Sequence, residues 1–195
     1  MKSAGVVLGV IALVVVLVLG LGAMSYVSAK NQMVELNEDV DTAYSTVSVQ
    51  QQRRLDLIPN LVASVKGYVK EEETVLTNIA NARAAVVAAS SDRASSINAN
   101  QRLDVALSPL LRLQEQYPDL KGNDQFMRLE DELAGTENRI AVSRERYNTS
   151  LKTYNVYIQQ FPNSVWAGIA GYHYRNEYFK GNPENGVAPT VDFSK

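Results

Sequence analysis

The sequence predicts an all-α protein: an N-terminal transmembrane helix followed by an antiparallel bundle of three to four long helices. Three observations lead there. Residues 3–29 carry no charged side chain. Beyond them, apolar residues recur every seventh position over long stretches. Finally, no run of alternating Val, Thr and Tyr appears, and no Asn-Gly turn joins two such runs, so nothing signals a strand or hairpin.

The first element is an anchor rather than a cleaved leader. Met1-Lys2 and the small residues Val27-Ser28-Ala29 would suit a secretory signal, but such a signal needs only about 7–15 apolar residues. Crossing roughly 30 Å of hydrocarbon takes about 20. Val6 to Leu21 is almost entirely Val, Leu, Ile and Gly, and the charge-free stretch runs past both ends. A single-pass anchor over 1–29 follows. Its orientation stays open: Lys2 flanks one side, and Lys30 with Glu35, Glu38, Asp39 and Asp41 the other, too small a basic bias to choose.

What remains is enough chain for one domain with a core. The formal charge of −2 gives no basic face of the kind nucleic acid requires. Cysteine is absent and histidine occurs once, as His173. A lone histidine cannot build a zinc site, which takes three or four N, S or O ligands. No cofactor or metal site is expected.

Helix by helix, the first leaves the membrane and passes through Arg53 and Arg54. Pro59 interrupts it, since proline offers no N–H to the carbonyl of residue 55. The apolar spacing Met33, Val40, Val47, Arg54, Leu61, Tyr68, Val75, Ala82 runs through Pro59 without loop residues. A kink rather than a full break at Pro59 is therefore expected, and helix two, or the continuation, runs to about Ala89. Ser90-Ser91-Asp92 is the first obvious loop. A third helix covers about Ala94 to Gln116, bent near Ser108-Pro109, and Tyr117-Pro118-Asp119 ends it. Asn123 or Asp124 can cap the last long helix by accepting a free N–H in its first turn. That helix, with the stripe Phe126, Leu133, Ile140, Tyr147, Tyr154, Phe161, extends about 55 Å to Gln160. The companion row Leu129, Thr136, Ser143, Ser150, Tyr157 is polar in its middle, which suits a bundle helix better than a two-stranded zipper. Phe161-Pro162-Asn163 stops it. The organisation is thus an anchor over 1–29, a bundle over 30–162 and an aromatic, largely irregular tail over 163–195, punctuated by Gly181-Asn182-Pro183 and Gly186.

No catalytic constellation emerges. Glu71-Glu72-Glu73 and Glu130-Asp131-Glu132 are acidic, but consecutive helical residues point about 100° apart and do not converge. A di-metal carboxylate bundle needs Glu-x-x-His pairs; phosphate loops and a nucleophile elbow are missing too. Arg53 and Arg54 lie about 35 Å along a straight helix beyond Lys30, out of reach of their own anchor's headgroups. Cross-helix pairing with Glu137 or Glu130 suits them better. Asp56, Asn60, Glu137, Asn138 and Arg139 are read as a buried polar network fixing register, and the carbonyls freed by Pro59 should find a neighbouring arginine or Asn60. In the tail, Trp166, Tyr172, Tyr174, Tyr178 and Phe179 form either an exposed contact surface or a lid folded back on the bundle. Gly5-x-x-x-Gly9 in the anchor is a close-packing motif that favours self-association.

Read together, QQRRLDLIPNLVASVKGYVKEE (51–72), Asn81-Ala82-Arg83, QEQYPDLKGNDQF (114–126), Thr136-Glu137-Asn138-Arg139-Ile140, Arg146-Tyr147-Asn148, YNVYIQQFP (154–162) and the tail pairs Gly171-Tyr172 and Tyr178-Phe179 resemble the LemA family in order and spacing. Tyr44, Glu71 and Tyr172 depart from its usual residues. The resemblance implies a bacterial inner-membrane protein with a helical bundle, consistent with the reading from residues alone. It also implies partners: the lipid bilayer, further copies of the chain, and an HtpX-type membrane zinc peptidase in membrane-protein quality control. Family members connected with organelle-like membranes suggest a second role, in organising the bilayer itself.

Overall fold

The computed structural model describes residues 2–67 and 73–180. Tyr68, Glu71, Glu72 and the Gly181-Asn182-Pro183 and Gly186 turns fall outside those residues. Among the described residues are five α-helices: α1 (Lys2–Val65), α2 (Glu73–Ala88), α3 (Arg93–Gln116), α4 (Asp124–Gln159) and α5 (Asn163–Ala170), with a short 3-10 helix at Pro118–Gly122 between α3 and α4. No strand occurs among the described residues. The chain divides into two compact units, one built from residues 1–43 with 149–176, the other from 44–148 with the segment from Glu177 on.

In the 44–148 unit the core takes Leu61, Phe126 and Leu133 from the predicted stripes and adds residues outside them. Leu55, Ile58, Leu61 and Val65 of α1 join Ile79 and Val86 of α2, Leu103, Leu107 and Leu110 of α3, Leu120, and Phe126 and Leu133 of α4. Burying each such side chain stabilises by about 1.5–3 kcal/mol. Cross-helix pairs run Gln50 with Arg139 and Arg53 with Glu132. Numbers rise on α1 as they fall on α4, so the two are antiparallel. The polar middle of the companion row is satisfied locally: buried Thr136 and Ser143 each donate to the carbonyl four residues back, Glu132 and Arg139, at 2.8 Å. Helix starts are capped as turn chemistry requires. Asn123 Oδ1 accepts the N–H groups of Gln125 and Phe126 at 3.0 and 3.1 Å. Asp92 Oδ2 accepts that of Ser95 at 2.8 Å, and its hydrogen bonds with Ser95 hold its carboxyl below the ordinary value.

The structure decides between a second helix and a continuation. Pro59 lies inside α1, which ends at Val65, and a separate α2 runs from Glu73 to Ala88, close to the expected Ala89. The apolar spacing continues across the break because both helices face one core. Periodicity records which side is buried and not the direction of travel. The consequence is visible at Leu55, whose carbonyl Pro59 cannot serve. Arg83 on α2 donates Nε–H to it at 3.3 Å. The partner is an arginine from the next helix rather than Asn60, which is exposed.

In the other unit, Ala29, Met33 and Val40 of α1 are buried, as are Leu151, Tyr154 and Ile158 of α4 and Ala167 of α5. α5 ends at Gly171, whose φ of 78° is a left-handed conformation that favours glycine; the Tyr172 N–H closes the cap on the Ala167 carbonyl at 3.0 Å. Val7 to Leu21 of α1 expose their apolar side chains. This is the one segment among the described residues long and apolar enough to cross a membrane.

Arg83→Ala should destabilise the chain by about 1–3 kcal/mol, the cost of an unserved buried carbonyl. In a Pro59→Ala background, where the helix regains its own donor, the loss should shrink. Denaturant unfolding of the four chains of that double-mutant cycle measures the difference.

A buried charge cluster and a side-chain-gripped tail

Arg54 occupies a seven-residue stripe position otherwise held by Met33, Val40, Val47 and Leu61, and like them it is fully buried. A guanidinium cannot shed its proton in a protein, so burial obliges the neighbouring helices to deliver acceptors. They do. Arg54 Nη1 donates to Glu137 Oε2 of α4 at 2.8 Å and to Asp104 Oδ1 of α3. Its Nη2 donates to Asn100 Oδ1 at 3.2 Å, and Asn100 is itself anchored to the Ser96 carbonyl at 2.9 Å. Arg144 Nη1 reaches the second oxygen of Asp104 at 3.1 Å. Two arginines and two carboxylates from three helices thus neutralise one another.

The residues singled out from sequence distribute unevenly around this cluster. Arg54 and Glu137 are in it. Arg53 is half exposed and meets Glu132 at 3.5 Å on the surface, a contact that solvent screens to little value. Arg139 reaches Gln50 Oε1 at 3.2 Å and Thr136 Oγ1 at 3.0 Å, so it ties α4 to α1 beside the cluster. Asp56, Asn60 and Asn138 are exposed, and Gln52 Nε2 holds Asp56 at 2.8 Å. They are not part of a buried network: on a helix whose core positions are 47, 51, 54, 58, 61 and 65, residues 56 and 60 face outward. Pro59 is exposed as well. Glu130 does not meet Arg54; burial lifts its carboxyl above the ordinary value and Asp131 adds repulsion. The network's other members, Asn100, Asp104 and Arg144, carried no sequence signal. A polar residue on a half-apolar helix looks like surface until its facing helix is known.

In the same unit the segment from Glu177 is gripped through its backbone. Tyr147 donates its hydroxyl to the Glu177 carbonyl at 3.0 Å. Asn148 takes both groups of Phe179, donating to its carbonyl at 2.8 Å and accepting its N–H at 3.0 Å. Gln101 holds the Lys180 carbonyl at 3.3 Å. Phe179 is buried edge-on against Tyr147, ring centroids 5.4 Å apart, with the Arg144 guanidinium 5.2 Å over its own ring. Arg93 covers the Tyr44 ring at 4.2 Å. Of the two readings of the tail, Phe179 fits the folded-back one; Tyr178 is half-buried.

The other unit repeats the device with the same residue pair. Tyr154 donates to the His173 carbonyl at 3.1 Å, and Asn155 takes the carbonyl and N–H of Arg175 at 2.6 and 3.0 Å. Arg175 then reaches Asn37 at 3.0 Å and Asp41 at 3.3 Å on α1. Tyr172 is half-buried. Trp166 packs edge-on to Tyr26 at 5.7 Å and donates Nε1–H to Ser25 Oγ at 3.3 Å. His173 itself is exposed and contributes only its backbone. The recurrence of Tyr-Asn seven residues apart, at 147–148 and 154–155, is the signal from which the grips could have been read.

Two outcomes follow. Arg54→Met should cost about 3 kcal/mol, the lower end for breaking a buried pair, because Asp104 and Glu137 keep some solvent; chemical denaturation reads it. Burial also pushes the Tyr147 phenol up to about 12 from an ordinary 10.0. The folded chain therefore holds a proton that the unfolded chain releases, so stability falls as pH rises through that window. Tyr147→Phe should flatten the fall, seen by comparing unfolding midpoints of both chains at either end of it.

The chain matches the family model described as the LemA family over residues 43–193. It is 27% identical to magnetosome protein MamQ 2 of Paramagnetospirillum magneticum, across 78% of this chain and 65% of that protein. Identity is 28% with magnetosome protein MamQ of Magnetospirillum gryphiswaldense, with the same shares, and 25% with Protein LemA of Metamycoplasma hominis, over 75% and 67%. The chain spans about two thirds of the length of these relatives. An all-helical chain with an apolar N-terminal helix and a family match over most of its length, it belongs to the LemA family.

Proposed function

We propose that this protein is a single-pass, membrane-anchored helical scaffold of the bacterial inner membrane. It is non-catalytic, associates with copies of itself and binds other membrane proteins, with an HtpX-type membrane metalloprotease as the partner in membrane-protein quality control. The observation that carries the non-catalytic part is the charge cluster. Its buried Arg54 and the facing Asp104, Glu137 and Arg144 are engaged with one another. Catalysis would need titratable groups aimed at a substrate. The exposed apolar start of α1 supports the anchor. Along it, Gly9, Gly20 and Gly22 have open space where a Cβ would stand, which lets another helix approach closely.

A second reading draws on the relatives named as magnetosome proteins. In it, oligomers of the chain organise the bilayer without a peptidase.

Cross-linking in native membranes, then mild-detergent purification of the tagged full-length chain and mass spectrometry, separates the two. A stoichiometric membrane peptidase is the expected result. Recovery of a large homo-oligomer alone would favour the second reading, and a solitary monomer would overturn both.

A further inference from the structure

Helix α5 belongs to the unit that also contains the apolar start of α1. Three observations at α5 converge. Residues 153–174 contain no Asp, Glu, Lys or Arg, the longest such stretch outside the anchor. Within it, Val165 and Ile169, one turn apart on α5, are 49% and 65% exposed, and Phe161 in the turn just before α5 is 85% exposed, while Ala167, on the opposite side of the helix, is buried. Finally, Trp166 on the flank of α5 is fastened to Ser25 and Tyr26. Those two residues lie near the end of the charge-free segment of α1, which runs to Ala29 just before Lys30. They stand where a spanning helix of about 20 residues leaves the hydrocarbon.

From this we infer that α5 is a second membrane contact. It lies at the bilayer surface beside the exit of α1, with Phe161, Val165 and Ile169 in the boundary between headgroups and acyl chains. Trp166 and Tyr26 form part of the aromatic belt. The physical case is one of matched surfaces. Against water, the exposed face presents apolar area with no charge to solvate it. A helix lying in the interface plane buries such a face roughly 5–10 Å deep. Indole and phenol rings prefer this level because one end of each is apolar and the other hydrogen-bonds. The occupant is lipid rather than protein because the face is continuous, through the Trp166–Tyr26 contact, with the helix that enters the bilayer. The inference rests on α1 spanning the membrane, and its test must separate the two.

Trp166 is the only tryptophan, so its fluorescence reports α5 alone. The full-length chain is reconstituted into phosphatidylcholine vesicles whose acyl chains carry bromine either near the headgroup or at mid-chain. Trp166 emission should shift to the blue and be quenched more by the shallow bromine than by the deep one. Phe161→Asp, Val165→Asp and Ile169→Asp together, all at exposed positions, should remove that quenching. A companion chain, Trp166→Phe with Leu13→Trp, reports the anchor and should be quenched most at mid-chain. Quenching at Leu13→Trp without quenching at Trp166 would overturn the α5 contact and leave the anchor standing. Absence of both would overturn both. Trp166 quenching that survives the three aspartates would show that the α5 face does not hold the helix to lipid, and would overturn the inference equally.

Discussion

A permanently charged guanidinium at a core position constrains the 44–148 unit more than any other feature. Arg54 sits where the helix would otherwise place an apolar residue, and no adjustment of pH relieves it. α3 must therefore present Asn100 and Asp104 to it, and α4 must present Glu137, in one register. Apolar contacts alone tolerate sliding by a turn, since one leucine resembles another. A cluster of donors and acceptors does not, because a displaced register leaves a charge unpaired in low dielectric. Arg144 extends the same logic by using the second oxygen of Asp104 and then covering Phe179.

A second theme is side chains standing in for main chain. Pro59 removes a helical donor and Arg83 replaces it from another helix. The described tail residues 172–180 form no helix or strand of their own. Asn148 and Asn155 each supply a donor and an acceptor in one planar amide, which is the pattern a neighbouring backbone would offer. Tyr147 and Tyr154 do more than fill the stripe, since their hydroxyls reach tail carbonyls while their rings are buried. Buried peptide groups are thereby satisfied without regular structure.

Both themes bear on function. The charged groups of the Arg54 cluster are engaged with one another, and the exposed apolar surface includes the start of α1 and one face of α5. Charge thus sets the register of these helices, and the exposed apolar start of α1 agrees with membrane association.

The sequence by itself determined the helical class, the apolar N-terminal helix, the stripes apart from exposed Phe161, the Asn123 cap and the family, because each is written in local spacing or in a run of residues. It also pointed Arg53 and Arg54 towards Glu137 or Glu130, and of these pairings Arg54–Glu137 is present. It left open whether α1 and α2 are one helix or two, since a heptad reads the same in either direction, and it did not find Arg83, Asn100, Asp104 and Arg144. Tertiary structure decided those, along with the outward placement of Asp56, Asn60 and Asn138 and the burial of Phe179. The physical reason is that periodicity encodes which face of a helix is wet, while the partner of a buried charge or an orphaned carbonyl is set by whichever helix packs across from it.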